Sequence, residues 1–162
     1  MTTQRTRESL HAWGAPLAET QEKRHYGLHE TLLRGLREAL RDGTLLRVLP
    51  VVVAKNLERF EWAQLFEQAR EQQLDTELGM LLALSGELLH DERLQGRAAS
   101  LWREEQPSMR FFPEARNEYE AELARQRSPA VARRWGFWMN MSEETFASTL
   151  RKHHVAATTQ QR

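Results

Sequence analysis

Two histidines, His25 and His29, lie four residues apart in the segment RHYGLHE. On a helix this spacing directs both imidazole rings to one side, as a zinc site requires. Zinc-binding helices of the HExxH type carry a glutamate directly after the first histidine, but Tyr26 occupies that place. A third ligand would have to come from a distant residue such as Glu22 or His90. We therefore interpret the pair as surface histidines and predict no metal.

No other pattern of chemically active residues favours catalysis. The chain has no glycine-rich phosphate loop, no GxSxG serine turn and no DxDxDG calcium loop. It contains no cysteine, which rules out disulfides and thiolate metal sites and favours a cytoplasmic location. Pairs of acids such as Glu118 with Glu122 lie in charged stretches, whereas catalytic carboxylates need a cleft that perturbs their pKa. We predict no enzymatic activity and no cofactor.

The residue composition is that of a globular protein. The chain has 162 residues, of which 40% are hydrophobic, enough to bury a core without disulfides or metals. The 23 basic and 23 acidic residues cancel, so no overall field attracts nucleic acid. The N-terminus lacks the apolar stretch of a signal peptide, and the longest apolar run, residues 48–54, is far too short to span a bilayer. We predict no membrane partner.

Hydrophobic spacing predicts helices along nearly the whole chain. Leucines four residues apart mark the first of them: Leu28, Leu32, Leu36 and Leu40. Gly43 follows as a predicted stop. The segment TLLRVLPVVVAKN at 44–56 could also form a strand, but no other segment offers a partner strand. We therefore interpret Pro50 as the first turn of a short buried helix.

The middle of the chain predicts three successive helices. Trp62, Leu65, Phe66 and Ala69 form the apolar stripe of the first. Asp75 and Asp91 are the predicted N-caps of the second and third. Gly79 and Gly86 lie inside the second helix, where each glycine costs about 1 kcal/mol relative to alanine. We therefore predict that the helix before or the helix after approaches both glycines closely.

The last third begins with a break, residues 106–113, that has prolines at both ends. A polar helix to about Arg127 follows, and then a short helix that ends at Gly136. Ser142 is the predicted cap of the last helix, whose acidic start and basic end suit the helix dipole.

Together these elements predict an all-α fold. We expect a single compact domain of about seven helices over residues 1–155, in which neighbouring helices are mostly antiparallel. The first eight or so residues are expected to be flexible, and residues 156–162 to form a disordered tail.

Aromatic, methionine and arginine residues are dense around Gly136. Such a cluster either closes a core or forms a surface for a partner, and the sequence leaves both open. Tryptophan and arginine are the usual anchors of protein interfaces. The predicted contact residues are Phe111, Phe112, Arg133, Arg134, Trp135, Phe137, Trp138, Met139, Met141 and Phe146.

The same region resembles a helix-turn-helix of AraC-type transcriptional regulators over residues 131–152. Ala132, Gly136 and Phe137 are similar to that family's A-x-x-x-G-F opening, and Phe146, Leu150, Arg151 and Lys152 to the end of its recognition helix. The turn here is about three residues longer than in the family. The resemblance implies a DNA-reading unit at residues 128–154, with nucleic-acid contacts from Arg133, Arg134, Arg151 and Lys152.

A second resemblance lies at residues 65–89, which look like the C-terminal helical segment of AbiEi-type antitoxins. The matching residues are Leu65, Ala69, Leu78, Gly79, Leu81 and Leu82. In that family a winged helix precedes the segment and binds DNA, and the protein opposes a nucleotidyltransferase toxin. The preceding residues show no winged-helix pattern here, so no functional residue is carried over.

The sequence thus favours a bacterial, cytoplasmic, non-enzymatic interaction protein that binds another protein as a regulator or accessory subunit. The alternative is a DNA-binding transcriptional regulator. The sequence leaves a homo-oligomer open and names neither the partner nor the pathway.

Overall fold

The computed structural model describes residues 2–18, 20–105, 109–110 and 117–153. Its helices are α1 (Thr2–Ala12), α2 (Leu28–Ala39), α3 (Gly43–Lys55), α4 (Trp62–Glu71), α5 (Asp75–Leu89), α6 (Glu92–Ala99), α7 (Glu118–Arg127), α8 (Ala130–Arg134) and α9 (Glu143–Lys152). The prediction of an all-α fold is confirmed, with nine helices over these residues instead of about seven. No helix in these ranges is long and apolar enough to cross a membrane.

Helix α3 lies in the middle of the core and packs against α2, α5 and α9. The Asp42 carboxylate caps it by accepting a hydrogen bond from the Thr44 N–H, so Gly43 is the first helical residue and not the predicted stop. The prediction for Pro50 is also wrong, because this residue lies inside the helix. Burial of the surrounding leucines and valines outweighs the backbone hydrogen bond that a proline removes.

Helix α5 is buried along most of its length and packs most extensively against α6. The predicted cap of α6 is confirmed, since Asp91 accepts hydrogen bonds from the N–H groups of Arg93 and Leu94. The predicted cap of α5 is wrong. Asp75 is the first residue of that helix, and its buried carboxylate is ion-paired with Arg103.

Helix α1 is absent from the sequence-based prediction, which treated the first eight or so residues as flexible. It packs against α2, and Leu10 is fully buried. The hydroxyl of Ser9 holds α1 to the following loop by donating to the Lys23 carbonyl and accepting from the His25 N–H. A helix fixed by one buried leucine and a buried hydroxyl carries a weak amphipathic signal, so periodicity does not reveal it.

Two strands of two residues each, β1 (Met109–Arg110) and β2 (Phe137–Trp138), form a parallel pair. They join the break that follows α6 to the aromatic segment between α8 and α9. This small sheet was not predicted, because a two-residue strand has no measurable period.

Candidate functional site

The aromatic segment around Gly136 belongs mainly to the hydrophobic core. Trp135 and Phe137 are 5% and 1% exposed, and the Met139 and Phe146 side chains are fully buried. Of the two roles that the sequence left open, the structure places these four side chains in the core. Phe137, Met139 and Phe146 are therefore enclosed by their own chain, whereas Trp135 also lines an open groove.

The indole of Trp135 packs directly on the backbone of α5 at Gly79. A Cβ built at Gly79 would lie 2.3 Å from the Trp135 ring, so only glycine fits at this position. At Gly86 the close neighbour is α6, at Gln95 and Asp91. The predicted close approach of a neighbouring helix is therefore confirmed for Gly86 and wrong for Gly79.

Ser128 ties the end of α7 to the aromatic segment. Its buried hydroxyl donates to the Ala124 carbonyl, lies 3.0 Å from the Met139 carbonyl, and accepts a 2.7 Å hydrogen bond from the Met139 N–H. Nearby, the Arg125 guanidinium stacks 4.6 Å from the centroid of the half-buried Trp138 ring.

A groove beside Trp135, called the tryptophan groove below, is open to solvent. It is lined by Ala83, Glu87, Gln95, Ala98, Ala99, Trp102, Arg134 and Trp135, and has a volume of about 370 Å³. Trp102 is 45% exposed and meets Trp135 edge to face, with the ring centroids 4.9 Å apart. Arg134 and Glu87 form a 3.5 Å ion pair at the rim.

The remaining predicted contact residues fall into three groups. Arg133 and Arg134 are exposed, and Trp138 and Met141 are half-buried. Phe111 and Phe112 lie outside the described residues. Trp102 is not among the contact residues predicted from the sequence. The signal that distinguishes it is its position beyond the end of α6, where a helical stripe no longer points at the core.

In the predicted DNA-reading unit, the segment that connects the two helices contains a short β-strand. Helix α8 has five residues, and residues 135–142, which include β2, separate it from α9. Helix α9 packs against α3, with Phe146 and Leu150 buried. Arg133 and Lys152 are exposed, whereas Arg151 is ion-paired with Glu144.

The two histidines considered as metal ligands are not arranged for that role. His25 precedes α2 and lies 2.6 Å from the Glu8 carboxylate, whose pKa this hydrogen bond lowers. His29 accepts a hydrogen bond from the Glu61 N–H and stacks on Phe60. Burial lowers the pKa of His29, so the neutral ring that accepts this bond is favoured. Among the described residues no three potential ligands come together.

Comparison of the chain with family models, with curated proteins and with solved structures finds no match. The resemblances to AraC-type regulators and AbiEi-type antitoxins remain predictions.

Proposed function

We propose that this protein is a non-enzymatic interaction protein that binds another protein through the tryptophan groove. The observation that carries the proposal is Trp102, a large aromatic side chain left 45% exposed at the wall of a groove. Tryptophan is among the residues that contribute most to protein interfaces when a partner removes them from water.

The groove can receive a side chain from a partner. Its walls carry small residues, Ala83, Ala98 and Ala99, beside the Trp102 ring. The edge-to-face contact with buried Trp135 holds the Trp102 ring in place, so little conformational freedom remains to be lost on binding. A preformed apolar surface of this kind favours the insertion of an aliphatic or aromatic anchor.

The charges at the groove support recognition by shape and apolar contact. Its lining includes one acid and one base, Glu87 and Arg134, which neutralise each other across the rim. Both side chains keep much of their surface in water, so this ion pair contributes little stability and can exchange partners. Arg134 can therefore turn to a carboxylate of the bound protein, which retains one of the arginines predicted from the sequence.

A photo-cross-linker tests the proposal. Gln95, which lines the groove, is replaced by p-benzoylphenylalanine, and the protein is irradiated in lysate of its native host. We expect one predominant cross-linked protein, which is lost when Trp102→Ala is added. Tyr119 is 72% exposed on α7 and does not line the groove, so Tyr119→Ala is the matched control and should leave the cross-link unchanged. Equal cross-linking with and without Trp102 would refute the proposal.

The DNA-binding alternative predicts a different result. Fluorescence anisotropy with duplex DNA at about 50 and 200 mM salt should then show a steep loss of affinity. Arg133→Ala and Lys152→Ala should each reduce the salt slope by about one. Glu143, an exposed acid at the start of α9, would repel phosphates, and we therefore expect no binding at either salt concentration.

A further inference from the structure

We propose that a second groove, bounded by α9, α3 and the loop after α1, binds a small organic anion with an apolar body. This α9 groove has a volume of about 920 Å³ and lies apart from the tryptophan groove, with which it shares no lining residue. Its size is within the range of small-molecule sites. Anion binding in the α9 groove does not require the proposed protein partner.

The floor of the α9 groove is apolar. Leu17 from the loop and Val48 from α3 line it, and they are 5% and 2% exposed. Pro16 continues this surface beside Leu17. An apolar floor supplies affinity for a hydrocarbon or aromatic part of a ligand, and it gives a bare inorganic ion nothing to contact.

Two cations within the described part of the chain line the groove from two different helices. Arg47 on α3 and Lys152 on α9 both line the groove, and neither forms a hydrogen bond or ion pair there. A lysine in the last turn of a helix is common, because it offsets the helix dipole. Arg47 lies in the first half of α3, where the helix dipole does not favour a cation. Its position in the groove therefore supports anion binding more strongly than that of Lys152.

The other polar groups of the groove favour an oxyanion. Glu144 is the one acid among the described residues that line it, and its charge is neutralised by the ion pair with Arg151. Ser148 is exposed, and its hydroxyl forms no hydrogen bond within the described residues, so it can donate to a ligand. Guanidinium, ammonium and hydroxyl donors together suit a carboxylate or a phosphate group.

Calorimetric titration of the full chain tests the site with three probes: phenyl phosphate, benzoate and neutral benzyl alcohol. We expect saturable binding of phenyl phosphate or benzoate, with benzyl alcohol at least about tenfold weaker because it lacks the charge. The tighter of the two anions identifies the group that the site recognises. Failure of both anions to saturate at about 10 mM would overturn the proposal.

Variants distinguish the α9 groove from general attraction to a surface. Arg47→Ala should weaken binding of the tighter anion about tenfold, and Lys152→Ala somewhat less. Arg41 and Lys23 are exposed cations that do not line the groove, so Arg41→Ala and Lys23→Ala are matched controls with unchanged affinity. Equal weakening by Arg41→Ala and Arg47→Ala would overturn the assignment. Circular dichroism and melting temperature confirm that each variant folds.

Discussion

The two ends of α5 carry equivalent glycines but are covered in different ways. Gly86, near the C-terminal end, meets the next helix along the chain at Gln95 and Asp91. Gly79, near the N-terminal end, meets the ring of Trp135, which lies far away along the chain. The difference shows that a glycine inside a helix indicates close packing without indicating what packs there.

The nature of the neighbour decides how well each glycine position tolerates an added side chain. The Trp135 ring is buried and packs edge to face against Trp102, so it cannot move away from Gly79 without disturbing that contact. The Gln95 side chain is exposed and flexible, although backbone atoms of α6 lie only slightly farther away. Gly79 should therefore tolerate substitution less well than Gly86.

The largest effect is expected at Gly79. The methyl group of Gly79→Ala would overlap the Trp135 ring, and we expect the free energy of unfolding to fall by about 3 kcal/mol. Urea denaturation followed by tryptophan fluorescence measures the change. The double variant Gly79→Ala/Trp135→Phe, whose smaller ring makes room, should lose less than the sum of the two single changes. Strict additivity would mean that the ring does not limit this position.

A smaller loss is expected at Gly86. A Cβ there would lie 2.8 Å from the Gln95 side chain and 3.1 Å from backbone atoms of α6. The gain in helix propensity offsets part of this overlap, and we expect Gly86→Ala to lower stability by about 1 kcal/mol. The same denaturation experiment measures it. A loss as large as that of Gly79→Ala would contradict the comparison between the two ends.

Gly96 on α6 is the reference for Gly79 and Gly86, because no neighbouring segment covers it. Apart from its own turn of helix, nothing lies within 4 Å of a Cβ built there, so Gly96→Ala should gain helix propensity without overlap. We expect the free energy of unfolding to rise by about 0.5 kcal/mol. A loss of stability would show that the expected gain in helix propensity does not decide the outcome where no neighbour interferes.

The smallest effect on the free energy of unfolding is expected at Glu77, near the N-terminal end of α5. Burial raises the pKa of its carboxyl above the usual value of 4.5, while Arg103 and the Glu77 N–H oppose the shift. A carboxyl whose pKa is higher in the folded state destabilises the fold once pH exceeds its unfolded pKa, and this penalty disappears below that pKa. Glu77→Gln should therefore be more stable than the natural chain at pH 7, and the difference should shrink by about pH 4. An unchanged difference at both pH values would exclude ionisation of Glu77 as the cause.

Whether the sequence could predict a contact depends on how far apart along the chain its residues lie. The Asp91 cap, the buried α3 and the close approach at Gly86 all depend on residues near one another in the chain, and periodicity or capping rules predict them. The pairing of Asp75 with Arg103 and the packing of Trp135 on Gly79 join distant segments. Residue spacing carries no information about such contacts.

The tryptophan groove could be predicted only in part. Clustering identified Trp135 and Arg134, which do line it. Trp102 is not among the predicted contact residues, because its exposure depends on where α6 ends and on which ring it meets. The α9 groove was missed altogether, because Arg47 and Lys152 come from helices that only the tertiary fold brings together.

The contact between Trp135 and Gly79 also leads us to expect an order of events in folding. Closing a long loop costs entropy before its contacts are made, whereas α5 and α6 meet across a short turn. We expect the α5–α6 hairpin to be formed in the folding transition state and the Trp135 ring to dock afterwards. In stopped-flow measurements, Trp135→Phe should then accelerate unfolding with little change in the refolding rate, while Gly86→Ala should mainly slow refolding. The position at which a ring contacts a helix would thus set how long the native state lasts and leave the speed of its formation almost unchanged.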